Sequence, residues 1–330
     1  MNPVLITGGT GKTGGALTGL LRERGVPVRV ASRTPAAGDP DAVRFDWADP
    51  ATHAAALRGT DRVYLVPPVN ALDPLPLVEP FLATADRLGV RRMVLLASAL
   101  VFPGSDGALE LAERVRARPG GVVLRASGFM QNFLAPHPMG ERILRHGEIR
   151  TASGTGRVGW IDARDIAAAA AAVLTAPEDA PHGRTDGRTD GRGDDRTDGR
   201  GDDRSDDRSD DRTEGRSDER TDDRSVGRSD DRSDHLLTGP AALSYRDAAE
   251  ILTRHTGRTV RVVPVEPGEL AATYRAAGLP DAFAASLAAV DANIRAGRDD
   301  LVSTAVLDLT GRPPRTFAEF LRDHAARYHH

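Results

Sequence analysis

The sequence predicts an α/β protein with a doubly wound parallel sheet of the Rossmann type and a smaller, mainly helical C-terminal substrate lobe. Short apolar runs alternate with helical patterns through the first half of the chain, and a glycine-rich string separates the first run from the first helix. Helical periodicity then dominates the last hundred residues or so. Apolar strands that alternate with helices are typical of a buried parallel sheet.

Strands and helices are expected in a regular alternation. The predicted strands are 4–7, 28–32, 43–45, 62–66, 93–97 and 122–125. The predicted helices between them are about 13–24, 51–58, 75–88 and 108–117. A hairpin is expected over 147–159, and an alanine-rich helix follows Asp162 and ends near residue 176. Asp162 and Asp165 are expected to cap that helix and to bind backbone amides.

The folded pattern is interrupted between residues 178 and 234. Arginine recurs at every fourth position from Arg184 to Arg232, and the intervening Gly, Ser, Thr and Asp are poor helix formers with no apolar stripe to bury. The segment is therefore predicted to be a disordered insertion between a nucleotide-binding domain at 1–177 and a substrate-binding lobe at 235–330. Within the lobe we expect an extended segment at 260–265 and helices at 245–256, 269–277, 282–296 and 316–328.

Composition excludes several kinds of protein. A hydrophobic content of 39% and a formal net charge of −4 describe a globular chain and not a polybasic arm that binds nucleic acid. Without cysteine there is no disulfide, thiolate metal site or cysteine nucleophile, and no His/Asp/Glu group has ligand spacing, so no metal is expected. No signal peptide or membrane-spanning run is evident. The expectation is a cytoplasmic protein with a small-molecule substrate; a homodimer stays open.

A glycine-rich string between the first strand and the first helix predicts a dinucleotide site. It reads Thr7-Gly8-Gly9-Thr10-Gly11-Lys12-Thr13-Gly14, with G-x-x-G-x-x-G spacing. Gly8 allows the sharp turn, Gly11 allows the backbone to approach a pyrophosphate, and Gly14 allows the helix to pack closely on the sheet. A nucleotide triphosphatase loop is the alternative, but its first glycine would fall on Ile6.

Residues at the ends of later strands complete the predicted cofactor site. Arg33 stands where an acid would bind the ribose hydroxyls of NAD, and its guanidinium can hold a 2′-phosphate, so NADP(H) is predicted. A solvated arginine is the alternative. Asp46, after the third strand, can meet the adenine amino group. The full predicted set is Gly8, Thr10, Gly11, Lys12, Thr13, Gly14, Ser32, Arg33, Asp46, Val66, Pro67, Pro68 and Ala97.

The sequence resembles the atypical short-chain dehydrogenase/reductases of the NmrA-like type, most of all the branch containing the ergot-alkaloid reductases. Besides the glycine-rich string, the resemblance rests on FDWADP at 45–50, YLVPP at 64–68, VRRMVLL at 90–96, FMQNF at 129–133 and LTGPAALS at 237–244. It implies hydride transfer from NADPH to a small organic molecule, as in the imine reduction that forms festuclavine or agroclavine. NAD(P)H-dependent quinone or azo reduction, and a regulator that binds NADP(H) without turnover, stay open.

The proton-donating pair of ordinary short-chain reductases, Tyr-x-x-x-Lys, is missing. Lys12 is the only lysine, and it does not follow any of the tyrosines, Tyr64, Tyr245, Tyr274 and Tyr328. Reduction of a cationic iminium needs hydride and charge accommodation but no proton, so iminium or quinone-like acceptors fit better than ketones. The catalytic candidates are Ser98 as a hydrogen-bonding residue, Asn132 as a ligand of a carboxamide or substrate group, and His137 as a proton donor. An ordinary structural role is the alternative for each.

Overall fold

A parallel sheet of seven strands is the framework of this protein, which the computed structural model describes over residues 1–177 and 233–328. Its strands are β1 (Val4–Ile6), β2 (Val28–Ser32), β3 (Ala42–Arg44), β4 (Arg62–Leu65), β5 (Arg92–Ser98), β6 (Gly121–Ala126) and, after β7 (Glu148–Thr151) and β8 (Arg157–Val158), β9 (Asp234–Leu237). The spatial order is β3-β2-β1-β4-β5-β6-β9. The order reverses between β1 and β4, where open α/β sheets bind ligands.

Helices cover both faces of this sheet. Those that pack against it are α1 (Lys12–Glu23), α2 (Ala51–Leu57), α3 (Leu75–Arg87), α4 (Asp106–Arg116), α6 (Ala163–Thr175) and α10 (Ala305–Thr310). The other helices form separate clusters and are α5 (Pro138–His146), α7 (Tyr245–Thr256), α8 (Pro267–Ala276), α9 (Asp281–Arg295) and α11 (Phe317–Asp323). Successive side chains of β1 lie on opposite faces of the sheet, and each face has its own hydrophobic core. Val4 and Ile6 pack with α1, α6 and α10, whereas Leu5 packs with α2, α3 and α4.

The predicted α/β class and the predicted strands of the sheet are confirmed. The last strand of the sheet, β9, was not predicted. It adds to β6 in parallel register, and Val123 faces Asp234 across the pair. The predicted domain boundary at 235 therefore falls within a strand of the first sheet, and the described residues on both sides of the insertion belong to one compact unit. The predicted insertion, apart from residues 233 and 234, lies outside the described residues.

The predicted hairpin over 147–159 is wrong. β7 pairs in parallel with β11 (Arg261–Pro264), and β8 pairs antiparallel with β10 (Leu243–Ser244). The turn between β7 and β8 is held instead by α9, because one carboxylate oxygen of Asp291 accepts hydrogen bonds from Thr151 Oγ1 and from Ala152 N, each at 2.7 Å. These buried contacts direct both strands to partners in the C-terminal part of the chain.

An aromatic cluster joins the C-terminal helices to the end of the sheet. The Phe133 ring lies 5.0 Å from Trp160 and 4.8 Å from Phe317, measured between centroids, and Trp160 lies 5.2 Å from Tyr245. Rings at these separations contribute beyond the area they bury. The segment that follows β6 is therefore fixed by the core of the lobe.

Gly14→Ala is expected to destabilise the protein. An added Cβ at position 14 would lie 2.3 Å from the Gly8 carbonyl oxygen and 2.9 Å from Gly9 Cα, which are backbone atoms that cannot move aside. We expect the free energy of unfolding to fall by about 1–3 kcal/mol in urea titrations. Gly19→Ala, on the same helix, is the control, because its Cβ would meet nothing within 4 Å. That variant should gain up to about 1 kcal/mol. A Gly14→Ala protein as stable as wild type would contradict this packing.

Candidate functional site

The glycine-rich loop lies between β1 and α1, at the carboxyl edge of the sheet. Gly8 has a φ of 61°, and its carbonyl accepts a hydrogen bond from Gly11 N at 2.8 Å, which closes a tight turn. Gly11 is the N-cap of α1, so no side chain caps the helix, and the first turn has no acidic residue. The first amides of α1 and the positive end of its dipole are thus available to an anion.

Thr7 joins this loop to the neighbouring strand. Its backbone N–H donates to Tyr64 O at 3.0 Å, and its buried hydroxyl accepts from Val66 N at 2.7 Å. A Cβ added at Gly8 would lie 3.2 Å from Val66 Cβ. Val66 and the half-buried Pro67 and Pro68 after it therefore form one wall of the loop. Thr7 was not among the predicted site residues, because its bonding partners come from a strand far away in sequence.

Ser32, Arg33 and Asp46 lie on the other side of the loop, after β2 and β3. The Ser32 hydroxyl donates to Thr34 O at 3.0 Å. Arg33 is exposed, and within residues 1–177 and 233–328 its guanidinium has no ion pair. Asp46 accepts from Ala48 N at 3.0 Å through one carboxylate oxygen. An unpaired guanidinium at the end of β2 has the chemistry that a bound phosphate requires.

Three predicted site residues from distant parts of the chain meet beside the loop. Lys12, the first residue of α1, donates from Nζ to Asn132 Oδ1 at 3.1 Å. Asn132 belongs to a short 3-10 helix, Met130–Phe133, that follows β6. His137 is the N-cap of α5, and its Nδ1 accepts from Met139 N at 3.2 Å. The geometry thus brings Lys12 and Asn132 into direct contact.

His137 is an uncharged ring at neutral pH. Burial and, to a smaller extent, the charge of Lys12 lower its pKa to about 4, against the opposite effect of the Asn132 backbone. Because Nδ1 accepts a hydrogen bond, the hydrogen of the neutral ring is on Nε2. Both nitrogens therefore face backbone groups. His137 as a proton donor stays a prediction, and these contacts favour a structural role.

The 3-10 helix that carries Asn132 is fixed on several sides. Met130 and Phe133 are buried. The Gln131 side chain donates to Asp162 Oδ1 at 2.9 Å and accepts from Ala163 N at 3.0 Å. Asp162 caps α6 as predicted, by accepting from Arg164 N. Asp165 binds the backbone N–H of Arg315. Asn132 is left as the residue of the 3-10 helix whose side chain faces Lys12.

Ser98 ends β5 and is exposed, and its hydroxyl donates to Leu100 O at 2.9 Å. Ala97 before it is half-buried. The residues that follow Ser98 line a cavity of about 140 Å³. Its apolar wall residues include Leu100, Val101, Leu236 and Leu301, and its charged ones are Arg125, Arg298 and Asp299. Asn132 and His137 do not line this cavity, so the predicted catalytic residues are not all brought together.

Asp299 is the unusual member of the cavity wall. Its Oδ2 is buried without a hydrogen-bond partner among the described residues. Burial raises the pKa of this carboxyl, and the nearby Arg298 opposes that shift. Asp299 was not among the predicted site residues, because its place in the cavity wall depends on the residues after β5, far away in sequence.

The described ranges contain neither a metal-binding group nor a membrane-spanning helix. No group of histidine, aspartate and glutamate residues there could hold a metal ion. Among the helices of residues 1–177 and 233–328, none has the length and apolarity needed to span a membrane.

Comparison with known proteins places this site in context. Residues 8–177 match the family model described as NAD(P)H-binding. The chain is 36% identical to an uncharacterized oxidoreductase, YesF, of Bacillus subtilis, over 98% of this chain and 96% of that one. It is 33% identical to agroclavine dehydrogenase of Claviceps fusiformis, over 97% and 96%. The NADPH complex of a quinone oxidoreductase from Escherichia coli has a TM-score of 0.67 and 22% identity, over 97% and 99%.

Replacing His137 is expected to change how stability depends on pH. Its pKa is about 4 in the folded protein against 6.5 for an ordinary histidine, so the unfolded chain binds the extra proton more readily. Protonation of this histidine in the unfolded chain therefore lowers the free energy of unfolding as pH falls from 6.5 towards 4. His137→Asn keeps an acceptor for Met139 N but does not titrate. The Tm of this variant relative to that of wild type should therefore rise as pH falls from 6.5 towards 4.

The exposed His146, in the last turn of the same helix, supplies the matched control. His146→Asn removes a histidine from α5 without touching the buried ring. Thermal unfolding of the three proteins at intervals from pH 4 to pH 8 makes the comparison. A Tm difference between His137→Asn and wild type that is constant over this range would contradict the buried, uncharged state of the ring.

Proposed function

This chain belongs to the NAD(P)H-binding family, in its NmrA-like branch with the agroclavine dehydrogenases, and from that premise we propose that it reduces a small iminium-bearing metabolite with NADPH. The broad class, an NAD(P)H-dependent oxidoreductase, follows from the family. The preference for NADPH, the acceptor and the roles of individual residues are the proposed part.

The observation that carries the proposal is the burial of the tyrosines. Tyr64, Tyr245, Tyr274 and Tyr328 are all at most 9% exposed. Burial raises the pKa of Tyr64 and of Tyr328, which is the opposite of what a proton-donating tyrosine requires. An acceptor that takes hydride without a simultaneous proton suits such a site. An iminium is such an acceptor, because the electron pair of its C=N bond moves to nitrogen as hydride adds to carbon.

The proposed cofactor contacts follow the carboxyl edge of the sheet. Residues Thr10 to Gly14 would hold the pyrophosphate, Arg33 the 2′-phosphate and Asp46 the adenine amino group. Bound NADPH would supply the hydride. Val66, Pro67, Pro68 and Ala97 would flank the nicotinamide half, and Ser98 and Asn132 would offer hydrogen bonds there.

The acceptor would bind in the cavity that follows Ser98. Apolar side chains such as Leu100 and Leu301 can cover an organic ring system, and the unsatisfied Oδ2 of Asp299 can face a positive nitrogen. The two arginines of the wall have other partners, since Arg125 is paired with Asp234 and Arg298 donates to Asn293. Orientation of the acceptor in this cavity would then account for most of the rate, since the chemistry needs only the correct approach of hydride.

The cofactor preference is tested by titrating NADPH and NADH into wild type and Arg33→Ala. Loss of a charge-assisted phosphate contact should weaken NADPH binding by about 10- to 100-fold and leave NADH unchanged. Arg24→Ala, an exposed arginine at the other end of α1, is the control and should bind both as wild type does. Equal affinities for the two cofactors in wild type would contradict the proposed phosphate site.

Turnover is tested in the same cuvette with a cyclic iminium, a quinone and an azo dye. Oxidation of NADPH by the iminium supports the proposal. Oxidation by quinones and azo dyes with broad tolerance would identify a general quinone or azo reductase instead. Tight binding without oxidation by any acceptor would identify a regulator that senses NADP(H).

The role of Asp299 makes a separate prediction. Asp299→Asn should raise KM for a cyclic iminium about fivefold, which is the effect of losing a partly screened charge pair, and should leave KM for a neutral quinone unchanged. Asp300→Asn alters the exposed neighbour and is the matched control. If both acceptors respond equally to Asp299→Asn, the carboxylate shapes the cavity and does not recognise charge.

A further inference from the structure

Lys12 is a cation without an anionic partner in the part of the chain that the structure describes. It is the first residue of α1, directly after the uncapped Gly11, and its Nζ donates to the uncharged Asn132 side chain. At the other end of the same helix the situation differs, because Arg22 is paired with Asp39 and Asp41. An ammonium left unpaired at the amino end of a helix attracts an anion to that end.

The contact with Lys12 also fixes the direction of the Asn132 amide. An ammonium group has donors and no acceptor, so Asn132 must present Oδ1 to it, and the two N–H donors of Nδ2 point elsewhere. Those donors have no hydrogen-bond acceptor among the described residues. The backbone cannot rotate to change this, because Tyr328 Oη donates to Phe133 O at 3.0 Å and Gln131 is bound to α6.

The position of Asn132 assigns these donors to one end of a dinucleotide. Arg33 and Asp46, at the ends of β2 and β3, lie on the adenosine side of the glycine loop. Asn132 follows β6, which lies beyond β4 and β5 on the opposite side of β1. A dinucleotide that crosses the amino end of α1 from Arg33 therefore ends, with its nicotinamide, towards Asn132.

We propose that Lys12 is a positioning residue that connects the two halves of the cofactor site. Its ammonium binds the pyrophosphate and, through Oδ1 of Asn132, orients Nδ2 to donate to the carboxamide oxygen of the nicotinamide. This inference rests on the proposed binding of NADPH at the loop. It adds that a residue of the phosphate site determines how the reactive ring is held.

Two ligands separate the roles of Lys12 and Asn132. NADPH contains both halves of the cofactor, whereas 2′-phospho-ADP-ribose contains the adenosine and the pyrophosphate without the nicotinamide. Calorimetric titration should show that Asn132→Leu weakens NADPH about tenfold and leaves 2′-phospho-ADP-ribose within twofold of wild type. Lys12→Met should weaken both ligands.

The link between the two side chains is measured by a double-mutant cycle. In the Lys12→Met background the amide is no longer oriented, so Asn132→Leu should cost NADPH binding less than twofold. A full tenfold loss there would show that the residues act independently and would overturn the inference, as would equal losses for both ligands in Asn132→Leu. If wild type binds neither ligand, the proposed function itself fails. Retained binding of 2′-phospho-ADP-ribose by the Asn132→Leu variant reports that it is folded.

Discussion

The close approach of α1 to the glycine loop is the constraint on which the site depends. Gly14 lies so near the Gly8 carbonyl that no Cβ fits between them, and this contact directs the first turn of α1 at the carboxyl edge of the sheet. Lys12 stands on that first turn and reaches Asn132 only because the helix begins there. The same helix packs along α6, whose N-cap Asp162 holds Gln131. One backbone contact therefore sets the distance between the phosphate loop and the segment after β6.

Charge is distributed unevenly around this edge. Lys12 and Arg33 have no ion pair within the described ranges, and Asp299 has a buried oxygen without a hydrogen bond there. Charges of structural importance are satisfied: Arg164 binds Asp162, and Arg62 donates to the Leu174 carbonyl. Unpaired charges at a cleft lower stability and are characteristic of ligand sites. The unpaired cations Lys12 and Arg33 lie at the loop, whereas the cavity carries Asp299 together with Arg298 and Arg125.

The sequence predicts those features that a short segment of the chain determines, and misses those that depend on distant residues. Apolar periodicity and the glycine spacing are local, so β1 to β6 and the loop were found. The strand β9 follows an insertion, and a short apolar run does not reveal which sheet it joins. The expected hairpin failed because Asp291, far along the chain, holds the turn after β7. Lys12 and Asn132 were both candidates, but their contact spans 120 positions and only the fold reveals it.

The tyrosines are buried and make structural contacts. Tyr328 uses its hydroxyl to hold the Phe133 carbonyl, and Tyr245 packs against Trp160 and Phe133 in the core of the lobe. The residues with the right chemistry to protonate an oxygen are thus structural, and their contacts stabilise the segment that carries Asn132. Ser98, at the end of β5, and Asn132, beside Lys12, are polar but do not ionise near neutral pH. Under the proposed reduction the site needs only to hold a nicotinamide and an acceptor in a fixed relation, because hydride transfer to an acceptor that takes no proton requires no ionising donor.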